Sequence, residues 1–141
     1  MNPKFFTVEE ANALIGFLDS ALERIRRNRQ RSLWLQEDIA ILSLVAGCGA
    51  DDDNSDAIEL ADKIEQLDAV DREIERATAA VCDTGCILKD VDRGVVDFFS
   101  IQNNTVVYLS WNKGEDAVRY WRPIRESNAQ ARRPLEGSPS A

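Results

Sequence analysis

The chain contains no histidine in its 141 residues. That absence removes imidazole acid–base catalysis, Ser/His and Cys/His nucleophile pairs, and histidine-ligated metal sites. Any catalyst here has to be built from Asp, Glu, Lys, Arg, Tyr or Cys. Cysteine is scarce as well: there are three, Cys48, Cys82 and Cys86. The number is odd, and Cys82 and Cys86 are separated by three residues, where a redox or zinc pair has two. They read as reduced thiols, with no metal and no cofactor expected. Long apolar runs are missing too, and nothing approaches the roughly 20 residues that span a bilayer. The N-terminal "MNPKFFTVEEA" lacks a basic stretch followed by an apolar one, so no signal peptide is read and a cytoplasmic location is expected.

Positive charge is the last shortage. The net charge is −8. Residues 1–82 hold 9 basic and 17 acidic side chains, a balance of −8, whereas residues 83–141 hold 8 of each. Binding to nucleic acid or to an anionic membrane draws most of its non-specific affinity from phosphate neutralisation, so neither is an expected partner.

What is present is the composition of one globular domain, 44% apolar and 30% charged, long enough to bury a sizeable core. Thr7 followed by Glu10 is a capping box, and Glu9 and Glu10 suit the positive end of a helix dipole. From there Leu14, Leu18, Ala21 or Leu22, Ile25, Leu35, Ile39, Leu42 and Ala46 recur at mostly three and four residues, which predicts one helix to about residue 46. "GCGADDDNSD" follows. Counted from Asp51, a calcium loop needs glycine sixth and glutamate twelfth, and it has Asp56 and Asp62. The run is therefore read as a polar turn, with Asn54, Ser55 or Asp56 capping a second helix to about Val81.

The second stripe is Ala57, Leu60 or Ala61, Ile64, Leu67, Ile74 and Val81. Two helices joined by a short loop pack antiparallel, with paired positions summing to about 101. The arginine run at 24–31 then faces Asp68, Asp71, Glu73 and Glu75. The seam is weak in the middle, where Asn28, Ser32, Asp71 and Thr78 interrupt it. Drift of the stripe away from a strict heptad is preferred over a paired polar layer.

Beyond Gly85 the period becomes alternating. "CILKD", "GVVDFFSI", "TVVYLSW" and "AVRYWRPI" are strand-like. The connections "QNN" and "NKGED" are too short for crossover helices, so the sheet is an antiparallel meander. The expected fold is α+β: a long antiparallel helical hairpin over about 7–82, a small meander of three to four strands over about 85–124, and a polar tail over 125–141, all in one domain. Alternation splits the aromatics between two faces, which points to a dimer. Phe98, Trp111 and Trp121 are the candidate interface aromatics.

Four motifs in order, "FTVEEANAL", "GCILKDVDRGVVDF", "VVYLSWNKGED.VRYW" and "RRPL", resemble the prokaryotic family called domain of unknown function 2203, over most of the chain. The resemblance implies a small bacterial cytosolic protein with helices followed by strands, and no established activity. The family pattern has cysteine where this chain has Ser110, and histidine where it has Arg122. A metal or thiol site built on that pair in relatives would be lost here.

Within the matching motifs, Gly94 and Gly114 read as turn residues. Asp97 is the informative position, because a carboxylate inside "VVDFF" needs a partner once buried. Lys89, Arg93, Arg119 and Arg133 are the candidate cations. Two functional readings follow. One is a non-catalytic, dimerising interaction module. The other is a small-molecule-binding protein or histidine-independent enzyme, with Lys89, Asp90, Asp97, Glu115 and Arg133 converging on the meander.

Overall fold

The computed structural model of the chain describes residues 4–48, 55–125 and 132–135. The chain divides into two compact units, Met1–Glu23 with Ala79–Ala141, and Arg24–Thr78.

The first unit starts on the capping box. Thr7 Oγ1 accepts from the Glu10 backbone N–H at 3.1 Å, and Glu10 Oε1 accepts from the Thr7 N–H at 2.9 Å. That sets the start of α1 (Val8–Ala13). The expected single first helix is broken once. The Leu14 N–H bonds back three residues to the Ala11 carbonyl, a tighter turn than the α-helix allows, and α2 (Ile15–Cys48) begins after it. The final turn of α3 (Ser55–Asp83) leads through Thr84 and Gly85 into β1 (Ile87–Asp90).

The sheet continues with β2 (Val95–Gln102), β3 (Thr105–Asn112), β4 (Tyr120–Pro123) and β5 (Arg133–Pro134), in the order β1-β2-β3-β4-β5 with every pairing antiparallel. It is a meander, with one strand more than the three to four expected. The fifth is two residues long and lies in the segment read as a polar tail, where no alternating pattern announces it. Asn103 and Asn104 both take positive φ, 51° and 62°, which makes the two-residue turn that suits hairpin twist. Gly94 sits at φ 69°, and a Cβ there would lie 2.5 Å from the Lys113 Cβ, so both conformation and space demand glycine.

Residues opposite each other on paired strands share a face. Val96↔Trp111, Phe98↔Leu109 and Ser100↔Val107 form the inner face, and all six are buried. α1 and its approach close over it. The Phe6 and Phe98 rings meet edge-on at 5.1 Å, Ser100 Oγ donates to the Phe6 carbonyl, and Asn12 Oδ1 accepts from the Val118 N–H. Lys113 ties the other end of this layer, 3.3 Å from both Asp19 and Glu23 on the first turns of α2.

The second unit is the helical hairpin. Lys63 pairs with Asp38 at 3.6 Å, at positions summing to 101 as the register requires, and Arg24 pairs with Glu73 at 3.9 Å. Ile25, Ser32, Leu35, Val70 and Ala77 are buried between the helices. Two sequence expectations change. Ser32 Oγ donates to Asp71 Oδ1 at 2.9 Å, so the weak middle of the seam is a polar pair, where drift had been preferred. On α3 the seam follows Lys63, Leu67, Val70, Ile74 and Ala77, all of them buried or half-buried, while Ile64 is turned outward. The long Lys63 stem fills a seam position while its ammonium reaches Asp38. The acidic turn at 51–54 lies outside the described residues, and with it the candidate cap Asn54.

Candidate functional site

The outer face of the sheet carries Asp97↔Ser110, Phe99↔Tyr108, Tyr108↔Arg122 and Ser110↔Tyr120. Strand alternation turns these side chains away from the Phe98–Trp111 layer. The face is nevertheless closed at its centre: Asp97, Ser110 and Arg122 are each 1% exposed.

Arg122 is the cation that Asp97 requires. It lies two strands away, and its side chain crosses β3, with the guanidinium 4.7 Å from the Tyr108 ring centroid, before Nη2 donates to Asp97 Oδ2. None of the four cations expected from the sequence fills this role. Lys89 stands exposed on β1, where its charge acts on Asp97 from a distance. Burial pushes the Asp97 carboxyl above its ordinary range, and Arg122, Lys89 and Arg132 pull it only part of the way back.

A second charged pair adjoins the first. Arg132 Nη2 donates to Glu115 Oε1 at 2.6 Å and to the Ser110 carbonyl at 3.3 Å, and its guanidinium stacks 4.1 Å from the Tyr120 ring centroid. Glu115 Oε1 also accepts from the Asn112 N–H, while the Glu115 carbonyl accepts from the Trp111 indole N–H. Among the described residues, Asp97 Oδ1, Ser110 Oγ, Asn112 Oδ1 and Arg132 Nε are buried without a hydrogen-bond partner.

The five candidate site residues therefore separate. Asp97 and Glu115 come together, joined through Arg122, Ser110 and Arg132, with Lys89 nearby at the edge. Asp90 does not join them. It accepts from the Arg93 N–H at 3.1 Å and shapes the β1–β2 turn. Arg133 is also elsewhere, its guanidinium 5.3 Å from the Trp121 ring on the inner-face side of β4. The candidate interface aromatics are placed differently from expectation. Phe98 and Trp111 have no exposure at all and pack in the core, so neither offers surface to a partner, and Trp121 is half-buried. Trp121 instead lines a cavity of about 380 Å³ with Gln102, Asn103, Thr105, Val107 and Leu135.

Arg122 and Arg132 are the residues that sequence reasoning missed. A signal for the first was available: Arg122 shares strand parity with Tyr120, which places it on the face of Asp97 once the meander register is drawn. Arg132 had none, since the strand that carries it to the sheet is two residues long. Ser110, directly opposite Asp97 on β3, and Arg122, its ion-pair partner, are the two residues set against it.

Chemically the arrangement is a box of two opposite charge pairs braced by tyrosine rings. Asp97 Oδ2 and Glu115 Oε1 are engaged by Arg122 and Arg132, as in a structural network. Cys86, which donates its thiol to the Val81 carbonyl, is buried and its pKa is pushed up by burial, so it is a poor nucleophile. Among the described residues no group of three or more His, Cys, Asp or Glu side chains is placed to hold a metal ion, and no helix is long and apolar enough to cross a membrane. No curated protein and no solved structure matches the chain. The model of one protein family does, from residue 4 to residue 135, and the chain belongs to that family, described as "Uncharacterized conserved protein (DUF2203)".

Proposed function

We propose that the chain is a non-catalytic interaction module that dimerises through the outward face of its helical hairpin. One observation carries this reading. On α2, Arg27, Arg31, Trp34, Asp38, Ile41 and Val45 follow one another at spacings of four, three, four, three and four, and all six are exposed. Trp34 is 60% exposed, Ile41 57% and Val45 49%. That is heptad spacing, apolar at Trp34, Ile41 and Val45 and charged at the other three positions, and α2 already has its inner seam on α3. A second seam with a tryptophan at its centre is the pattern of a helix that packs on two sides. The sheet chemistry supports the same reading from the other direction, because Asp97 and Glu115 are each paired with an arginine of the chain.

Light scattering after gel filtration tests it. The wild-type chain is expected at twice 15.8 kDa at micromolar concentration, and Trp34→Glu with Ile41→Glu at half that mass. A wild-type monomer under the same conditions refutes the proposal.

A small-molecule site on the sheet is the second reading. Its support is the pair of buried, unpartnered atoms Asp97 Oδ1 and Ser110 Oγ, which sit on directly opposed residues. An electron-density map at high resolution separates the outcomes. One bridging water leaves the pair structural, and an extended organic density establishes a ligand.

A further inference from the structure

We infer that the second copy lies antiparallel across the outward α2 row, with the two-fold axis crossing near Trp34 and Asp38. This rests on the dimer reading above and adds the orientation of the partner.

The argument is charge order along the hairpin. The row begins with Arg27 and Arg31, preceded on the same side by Arg24, and then turns to Asp38, Ile41 and Val45. Arg24 reaches Glu73 on α3, and Arg31 donates to Gln66, whose amide in turn donates to Asp62. The α3 flank that borders the row is therefore Glu73, Gln66, Asp62 and Glu59, at spacings of seven, four and three. Ser32 and Asp71 meet on the opposite side of the hairpin and take no part. With Glu73 set against Arg24 and Lys63 against Asp38, the bordering surface keeps a net positive charge at the end near residues 24–31, and a net negative charge with apolar residues at the end near Asp38, Glu59 and Asp62.

A parallel partner, related by an axis along the hairpin, sets every position against itself. Arg24, Arg27 and Arg31 of both copies would then form one cluster of like charge, and the two Asp38 side chains would meet as well. Like charges so juxtaposed oppose association. Reversing the partner about residue 36 sets Arg31 and Arg27 level with the other copy's Ile41 and Val45, and brings Arg31 beside its acidic α3 flank at Glu59 and Asp62, twice by symmetry. It also keeps Trp34 and Ile41 of both copies inside the contact. A two-fold contact of this kind uses one patch on both chains and closes at two copies.

The geometry gives a distance to measure. With the axis near residue 36, Val45 of one copy lies level with Arg27 of the other. Eighteen residues of helix rise then separate the two Val45 positions, which is roughly 25–30 Å, and the two Arg27 positions equally. A parallel pair brings both sets to about 10 Å, the spacing of packed helices. Nitroxide labels on Val45→Cys and, separately, Arg27→Cys, with Cys48 and Cys82 replaced by serine in the full chain, read these distances by pulsed electron resonance. Circular dichroism confirms that each labelled chain is folded. Long distances at both sites are expected. Short distances at both overturn the antiparallel arrangement and leave the dimer standing. No intermolecular distance at either site, with a monomer mass, overturns the dimer and the orientation together. Raising salt from about 50 to 500 mM shortens the Debye length several-fold. It is expected to weaken the association at least tenfold, and no change would contradict the charge argument.

Discussion

Removing one member of the buried pair on the outer sheet face is the perturbation with the largest expected effect. Arg122→Met keeps the apolar stem of the side chain and deletes the charged guanidinium. Asp97, 1% exposed, is left without its hydrogen-bond donor and with Oδ1 already unpartnered. Breaking a buried pair from one side costs about 3–5 kcal/mol, because an uncompensated charge stays behind. For a chain of this size each kcal/mol is roughly 3–5 °C, so a loss near 4 kcal/mol lowers Tm by about 12–20 °C. The loss also depends on pH. Asp97 has its folded pKa raised above the ordinary 3.8. Its contribution is fully present below 3.8 and fades as pH rises through the raised value, at up to about 1.4 kcal/mol per pH unit. Without Arg122 that folded value climbs further, so Arg122→Met is expected to lose more stability at pH 8 than at pH 5. Urea unfolding at both values measures it. Replacing both partners, Asp97→Leu with Arg122→Met, removes the buried charges together and is expected to recover most of the loss. A single-variant cost under about 1 kcal/mol, or a cost equal at both pH values, would refute the account of a closed, burial-shifted carboxylate.

Three further outcomes follow from local geometry. Gly94→Ala puts a Cβ against Lys113 at a positive φ, and thermal unfolding is expected to show a loss of about 1–3 kcal/mol; a neutral result would mean the β1–β2 turn can relax. Thr7→Ala removes one half of the capping box and is expected to cost about 1 kcal/mol in urea unfolding, with Thr7→Asn nearly neutral. In native alkylation followed by peptide mapping, exposed Cys82 labels well ahead of buried Cys86; equal rates would show that the β1 entrance opens freely.

The sequence carried the local decisions well and the long-range partners poorly. Thr7 and Glu10 announce a helix start because a cap is a contact over three residues. The Asn103–Asn104 turn and Gly94 are equally visible, since backbone sterics act within a few bonds. The Arg24–Glu73 pair was legible from charge order, and Lys63–Asp38 obeys the expected register. What failed needed the third dimension. Asp97 was recognised as a buried carboxylate, but its cation comes from two strands away, across the Tyr108 ring. Ser32 and Asp71 looked like faults in an apolar stripe and prove to be each other's partner. Phe98 and Trp111 looked like interface residues, since alternation says which aromatics share a face and not which face is covered. The second row on α2 escaped notice because its arginines and aspartate hide the apolar spacing of Trp34, Ile41 and Val45.

On the proposed reading the hairpin, and not the sheet, is the working surface of the molecule, and its partner is a second copy of the chain. Sedimentation equilibrium of the full chain across a range of micromolar concentrations at low salt tests this most directly. The account predicts a reversible monomer–dimer curve approaching twice 15.8 kDa, shifted toward monomer by Trp34→Glu and left in place by Trp121→Ala. A single species of 15.8 kDa at every concentration, or a dimer that Trp34→Glu leaves intact, would contradict it.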